Sequence, residues 1–372
     1  MTQLQVGKPV KGSQLIGREK EILTISKLLL QGQSIVLIAP RRFGKTSLIL
    51  EILNRIKKPD IYTAYIDIFV TPDMASLSRK ITEEVLNNKK LGKVFKKISG
   101  NIAEVFRNVE LKQTIENFEF ILKYSSPDPN VWELFSESID FIDNYPKKYG
   151  KKIVCVFDEF GDIGKLDGGK IVKMVRSKIQ FQDHAAYIFS GSYESVMETL
   201  FVKHNSPFYR FARIIHLGYI EKDEFKKYIS HTLTTNGLPL NDKFIDEILD
   251  FTKGHPYYTQ LILQQILLNK ATGFHPKDLS LSAILKQLII IETNYLEKQW
   301  EDISRSRELV QTIMAVVKYR KSLYSHLDTK KMNPGRALKK LSGSGILFRE
   351  NKGYHLSDPL FELWIKEKII NN

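Results

Sequence analysis

Two short stretches carry the residue types and spacing of phosphate chemistry. Gly44-Lys45-Thr46 follows the apolar run Ile35 to Ile38 and leads into the helix-forming run Ser47 to Ile56, while Asp158-Glu159 closes the apolar run Ile153 to Phe157. A buried strand, a loop and a helix N-terminus in that order turn successive backbone N–H groups inward on an anion. Gly44 lets the backbone approach closely, Lys45 offers a point charge to β- and γ-phosphates, and Thr46 offers a hydroxyl to Mg²⁺. The whole loop, Ala39-Pro40-Arg41-Arg42-Phe43-Gly44-Lys45-Thr46-Ser47, fits G-x-x-x-x-G-K-[ST] with Ala39 replacing the first glycine. That departure is mild provided Ala39 keeps φ below zero. Asp158, at the carboxyl end of a strand, would hold Mg²⁺ through water, and Glu159 would polarise an attacking water. The bland alternatives are a chance Gly-Lys-Thr turn and a strand ending in two solvated acids. Each loses force because the two signals occur together, about a hundred residues apart.

The elements around these stretches read as alternating strands and helices. Gly17-Arg18-Glu19 enters an amphipathic helix ending near Gln31-Gly32-Gln33, and a segment in that place can fold back over a base. Ile61 to Phe69 reads as a strand, Leu77 to Leu91 as a helix, and Val131 to Ile142 as another helix. Between them, Val109 to Lys112 and Phe118 to Phe120 alternate like hairpin strands of an edge insertion over residues 92–130. Ala186 to Ser192 is a strand ending in small polar residues. Ser190 is the candidate to reach between the acidic pair and a γ-phosphate, with Ser192 in reserve; a plain strand-to-loop turn explains both serines almost as well. Arg210 and Arg213, before the short strand Ile214 to Leu217, could meet the γ-phosphate of their own or a neighbouring subunit, or form surface salt bridges. His184 and His204 read as solvated loop residues. Glu221 to Thr234 and Asp242 to Thr252 are helical. The junction Gly254-His255-Pro256 then ends one helix and starts the next, a rigid wall suited to an adenine ring, with His255 packing or capping. Leu281 to Trp300 reads as one long connecting helix.

From Arg305 the order is helix Glu308 to Tyr319, helix Pro334 to Leu341, and strands Ile346 to Arg349 and Gly353 to Leu356, the winged helix-turn-helix plan. Arg336, Lys339 and Lys340 would face DNA from the second helix and Lys352 would touch a phosphate from the wing, unless the module serves protein packing. A chain of 372 residues should hold two or three domains. Its one cysteine, Cys155, sits in an apolar run, which excludes disulfides and cysteine-rich zinc sites and fits a reducing compartment. The longest apolar runs are too short to span a bilayer and the first residues lack a signal-peptide core, so a soluble cytoplasmic protein is expected. The formal charge of +14 permits nucleic-acid contacts but equally describes a lysine-rich solvated surface.

On these residues, together with Phe157-Asp158-Glu159-Phe160, Gly254-His255-Pro256-Tyr257 and Asp358-Pro359-Leu360-Phe361-Glu362-Leu363-Trp364, the chain resembles the archaeal-type ATPases, AAA+/STAND-related P-loop proteins. The likeness runs from about Gly7 to Trp364. It implies an α/β P-loop NTPase fold with a parallel sheet in the order 5-1-4-3-2, followed by a helical lid and a winged-helix domain, with boundaries at 1–218, 219–300 and 301–372. It also implies ATP or ADP with Mg²⁺ as cofactors, held by Gly44, Lys45, Thr46 and Ser47 with Pro40, Arg41, Arg42 and Phe43 along the loop. Gly17, Arg18 and Pro256 would lie near the base, and Thr46 and Asp158 at the metal. Relatives often carry Leu-Tyr-Gly-Arg where this chain has Pro207-Phe208-Tyr209-Arg210, so the place of an arginine finger is open. No nuclease activity is expected. The activity implied is a slow ATPase acting as a switch, with a nucleotide-bound adaptor or a DNA-binding regulator as alternatives. A protein client and an oligomer are compatible with each.

Overall fold

The structure, a computed structural model, describes residues 4, 6–93, 95, 114, 120–123, 130–273, 279–319, 322–327, 332–350 and 353–371. Five strands, β1 (Ile35–Ile38), β2 (Ile61–Asp67), β3 (Lys152–Asp158), β4 (Ala185–Gly191) and β5 (Arg213–His216), form one sheet in the order β2-β3-β4-β1-β5. Every neighbouring pair is parallel, and read from the other edge the order is the expected 5-1-4-3-2.

The inner strands β1, β3 and β4 read as nearly unbroken apolar runs because helices cover both faces. Alternation along β1 divides its side chains. Ile35 and Leu37 join Ile22, Ile25, Leu48 and Ile52 from the helices α1 (Glu19–Leu30) and α2 (Lys45–Ile56). Val36 and Ile38 join Leu77, Ile81, Phe135 and Ile139 from α3 (Met74–Leu86) and the helix Val131–Lys148 on the other side. Parallel pairing also puts every carboxyl end on one edge of the sheet. The loop after β1, the acids closing β3 and the residues after β4 therefore meet there, at the place where the strand order reverses.

Beyond β5 the chain is helical: Lys222–Thr235, Asp242–Thr252, Pro256–Ala271, Leu281–Ile291, Thr293–Ser304, Arg307–Lys318 and Pro334–Gly343 precede the antiparallel pair β6 (Leu347–Glu350) and β7 (Gly353–Leu356), and Pro359–Ile365 follows. Local chemistry sets these starts. Asn241, Ser280, Asn333 and Asp358 accept hydrogen bonds from the free amides of the first turns, and Pro256, Pro334 and Pro359 stand where no amide is needed. One continuous buried cluster runs from Ile220 to Ile365 and takes in Ile16, so the segments read as lid and C-terminal domain share a core.

Three expectations need correction. The helix expected over Leu77 to Leu91 ends at Leu86 and tightens into a 3₁₀ turn, Asn87–Lys89. The long helix expected over Leu281 to Trp300 is two helices, since Glu292 ends one and starts the other. In the insertion, Phe120 lies in a helical turn, Phe120–Lys123, and not in a strand; residues 109–112, 118 and 119 lie outside the described residues, as does Lys352.

Candidate functional site

The loop after β1 closes tightly on itself. Gly44 has φ 83° and Arg42 has φ 67°, both in the left-handed region, while Ala39 keeps a negative φ as its replacement of glycine requires. A side chain on Gly44 would meet nothing within 4 Å, so the glycine answers a backbone demand, and the free space beside it belongs to a cavity of about 620 Å³. The loop from Arg41 to Ser47, the acids Asp158 and Glu159, and Ser192 line that cavity.

Lys45 is buried at the mouth of α2 and turns back on its own loop. Its Nζ donates to Ala39 O at 3.0 Å, Pro40 O at 3.4 Å and Ser192 Oγ at 2.6 Å. Burial pushes its pKa down, and the carboxylates of Glu159 and Asp158 oppose that shift. Ser192 joins the two charges: its backbone N–H donates to Glu159 Oε2 at 3.1 Å and its hydroxyl donates to Glu159 Oε1. Glu159 itself is held in the left-handed region, φ 50°, where a non-glycine backbone is strained.

Asp158 collects hydroxyls. Thr46 Oγ1 donates to its Oδ2 at 3.2 Å and Tyr65 OH to the same atom at 2.5 Å, while the N–H of Glu159 donates to Oδ1 at 3.0 Å. Tyr65 arrives there because β2 pairs in register with β3, which also sets Asp67 directly beside Asp158. Burial, then the neighbouring Asp158, pushes the Asp67 carboxyl up and the Tyr65 phenol well above its usual range. Sequence reading missed both residues, since an alternating strand gives its aromatic to the core by default.

The segment before α1 straps across the loop. Val10 N–H donates to Ser47 Oγ at 3.0 Å and Gly12 N–H to Glu51 Oε2 at 3.0 Å. Ser47 thus gives its hydroxyl to the strap. Arg18 is buried, bonded to Gly218 O at 2.6 Å and Glu21 at 3.1 Å, and lines the cavity. Gly17 does not line it; φ 61° and an approach that would put a Cβ 2.6 Å from Ile220 explain the glycine instead. Across the cavity stand Pro256, Tyr257 and Gln260. Gly254, φ 78°, lets them close in, because a Cβ there would sit 2.2 Å from Ile220 O.

Other candidates fall elsewhere. Ser190 is fully buried opposite Leu37 in the sheet and does not reach the cavity, whereas Ser192, one residue past the end of β4, does. Arg213 pairs with Ile35 at the amino end of its strand and lines a groove beside α1. Three strand residues, about 10 Å, separate that end from the loop. Arg210 lies before it and is exposed, its guanidinium over Tyr209 at 5.3 Å. Neither arginine lines the cavity, so neither serves the site of its own chain in this arrangement. Pro40 lines a second cleft of about 310 Å³ with Glu194, His216 and Phe348. Phe43 borders the main cavity but packs on the rings of His255 and Tyr219, at 4.5 and 5.2 Å. Arg41 bonds Tyr193 OH at 2.7 Å.

His255 is a packing residue, as its sequence context suggested, and burial followed by the nearby Arg42 charge pushes its pKa from 6.5 down to about 3. The unfolded chain binds a proton there that the folded chain refuses. Stability from this group is therefore complete above about pH 6.5 and declines as pH falls toward 3, by about 2 kcal/mol near pH 5. Denaturant melts of the wild type and of His255→Phe should show that part of the acid loss in the wild type alone; equal losses would contradict the assignment.

A family model described as an ATPase domain predominantly from Archaea matches residues 15–262. No curated protein matches the chain. Among solved structures, a Walker-type ATPase of Pyrococcus abyssi matches with a TM-score of 0.68 at 15% identity, over 98% of this chain and 99% of that one. The ORC2 protein of Aeropyrum pernix, in ADPNP-ADP complexes, matches with a TM-score of 0.54 at 12% identity, over 98% of each chain. The ORC1 protein of the same organism, in complex with DNA, matches at 0.50 and 11% identity, over 97% of this chain and 94% of that one. At these identities the likeness is one of fold.

Proposed function

The chain belongs to the family of ATPase domains found predominantly in Archaea, and from that premise we propose that it is a Mg²⁺-dependent ATPase working as a nucleotide-driven switch. One observation carries the reading: Lys45 Nζ, Thr46 Oγ1 and the carboxylates of Asp158 and Glu159 converge on one cavity beside the left-handed Gly44. The loop amides receive the phosphate oxygens, and Lys45 exchanges the Ala39 and Pro40 carbonyls and the Ser192 hydroxyl for them. Glu159, held by Ser192, orients a water at the γ-phosphate. The base lies between the strap and Pro256 with Tyr257.

A hydroxyl and a carboxylate 3.2 Å apart, Thr46 and Asp158, are hard oxygen donors that suit Mg²⁺ bound jointly with phosphate. When bound, the ion supplies charge neutralisation between the β- and γ-phosphates. Tyr65 fixes the rotamer of Asp158 for that task. Phosphate release by the purified chain should require Mg²⁺ and stop when excess EDTA is added. Release unaffected by EDTA would contradict the reading.

The proposed division into core 1–218, lid 219–300 and winged-helix unit 301–372 follows the change from sheet to helices at β5 and the hairpin β6-β7. A second reading, DNA binding, is favoured by one observation: Arg336, Lys339 and Lys340 are exposed on the helix Pro334–Gly343, whose Ala337, Leu338 and Leu341 face the core. The A. pernix ORC1 structure is named as a DNA complex. On this reading, changing all three to alanine lowers the slope of log K against log salt for duplex DNA by about 3, one per phosphate contact. A slope unchanged by the triple substitution would leave the helix as a packing element.

A further inference from the structure

Arg42 does something a phosphate-binding loop residue has no need to do. It lines the nucleotide cavity, yet its guanidinium points away from the loop into a cage of tyrosines on the helical body. Its Cζ lies 4.4 Å from the centre of the Tyr257 ring and 5.1 Å from that of Tyr295, and its Nη1 donates to Tyr258 OH at 3.2 Å. The charge of Asp358 acts on both Arg42 and Tyr258, and this buried carboxylate caps the helix Pro359–Ile365 through the amides of Leu360 and Phe361, each at 2.9 Å. Tyr257 and Tyr258 belong to the first turn of Pro256–Ala271, and Tyr295 to the helix Thr293–Ser304. A single cation on the loop thus reaches three segments of the body that shares one core from Ile220 to Ile365.

We propose that Arg42, Tyr258 and Asp358 form a clamp that ties the phosphate loop to the helical body, and that a bound nucleoside triphosphate opens it by drawing the guanidinium onto its phosphates. The inference rests on the nucleotide-binding reading above and names how that site is regulated. The competition is physical. In the cage the guanidinium has ring faces and one neutral hydroxyl, with the carboxylate a residue further off, whereas a polyphosphate offers several anionic oxygens in bidentate reach. Arg42 also sits at φ 67°, a left-handed backbone that a β-carbon disfavours and that the clamp helps to hold. Once the guanidinium leaves, Asp358 keeps its two amides but loses the positive charge near it, and the contact between loop and body weakens. Phe43 against His255 and Tyr219 remains as the pivot.

Because clamp and nucleotide compete for one guanidinium, linkage requires that weakening the clamp strengthen nucleotide binding. This sign separates the clamp from a merely structural contact, whose loss would weaken binding or leave it alone. The test uses the full chain, a fluorescent ATP analogue, and the variants Tyr258→Phe, which removes only the hydroxyl, and Asp358→Asn, which keeps the helix cap and removes the charge. Both should bind the analogue about five- to tenfold more tightly than wild type, the net scale of one ordinary hydrogen bond. Hydrogen exchange gives the second readout. In wild type the analogue should speed exchange in peptides covering 353–371 about tenfold, and in Asp358→Asn those peptides should exchange fast with or without it. If wild type binds the analogue while both variants bind equally or more weakly, or if the analogue protects 353–371, the clamp is wrong and the nucleotide site stands. If wild type binds no nucleotide, both readings fail together.

Discussion

Lys45→Ala should bind ATP at least thirtyfold more weakly than wild type. The ammonium is fully engaged, by Ala39 O, Pro40 O and Ser192 Oγ, and is desolvated enough that burial lowers its pKa. Its hydrogen-bond partners are neutral acceptors, and the carboxylates of Glu159 and Asp158 that lose its charge line the cavity, so the fold should be little disturbed. With phosphates bound the balance reverses, because truncating one partner of a buried charge pair costs about 2–5 kcal/mol, or roughly thirtyfold to several thousandfold in affinity. Thermal melts separate the two effects. Wild type should be stabilised by about 2.7 kcal/mol when ATP is at a hundred times its Kd, and Lys45→Ala should melt near the wild-type temperature without ATP and gain far less from it. A variant that gains as much as wild type would show that Lys45 does not touch the ligand.

Glu159→Gln should bind ATP within about threefold of wild type and lose about a hundredfold or more in turnover, the usual scale for a residue that orients or activates the nucleophile. Gln is isosteric, so the bond from Ser192 N–H and the strained φ of 50° can both persist. What is lost is the negative charge that polarises water and that Ser192 links to Lys45. Single-turnover phosphate release measures this without product release entering. Release at the wild-type rate would remove Glu159 from the chemistry.

How much of this could be read from the chain depends on how local each feature is. Strand, loop and helix around Gly44-Lys45-Thr46 are contiguous in sequence, and Asp158-Glu159 announces itself by closing an apolar strand, so the centre of the candidate site was legible, while the sheet order came from the family resemblance. The choice between Ser190 and Ser192 was not. Both serines have the same parity in a strand, and only the end of pairing at Gly191 frees the second one to reach Lys45 and Glu159. Tyr65 and Asp67 depend on the register of β2 against β3, which period-two alternation does not specify between two buried strands. The cage around Arg42 joins residues more than two hundred positions apart, beyond any pattern of spacing. Arg210 and Arg213 looked suitable because they precede the last strand, yet in a parallel sheet the start of a strand lies at the edge opposite the site. The helix break at Glu292 was hidden by a run with no glycine or proline to mark it.

The account stands on a triphosphate seated against the amides around Gly44, with Lys45 and Asp158 meeting on it. A crystal structure of Glu159→Gln with ATP and Mg²⁺ tests this most directly. The account predicts the β- and γ-phosphates within hydrogen-bond reach of Lys45 Nζ, that ammonium moved off Ala39 O and Ser192 Oγ, and the metal beside Thr46 and Asp158. Nucleotide bound elsewhere, or Lys45 still turned back on its own loop with ATP in place, would contradict it.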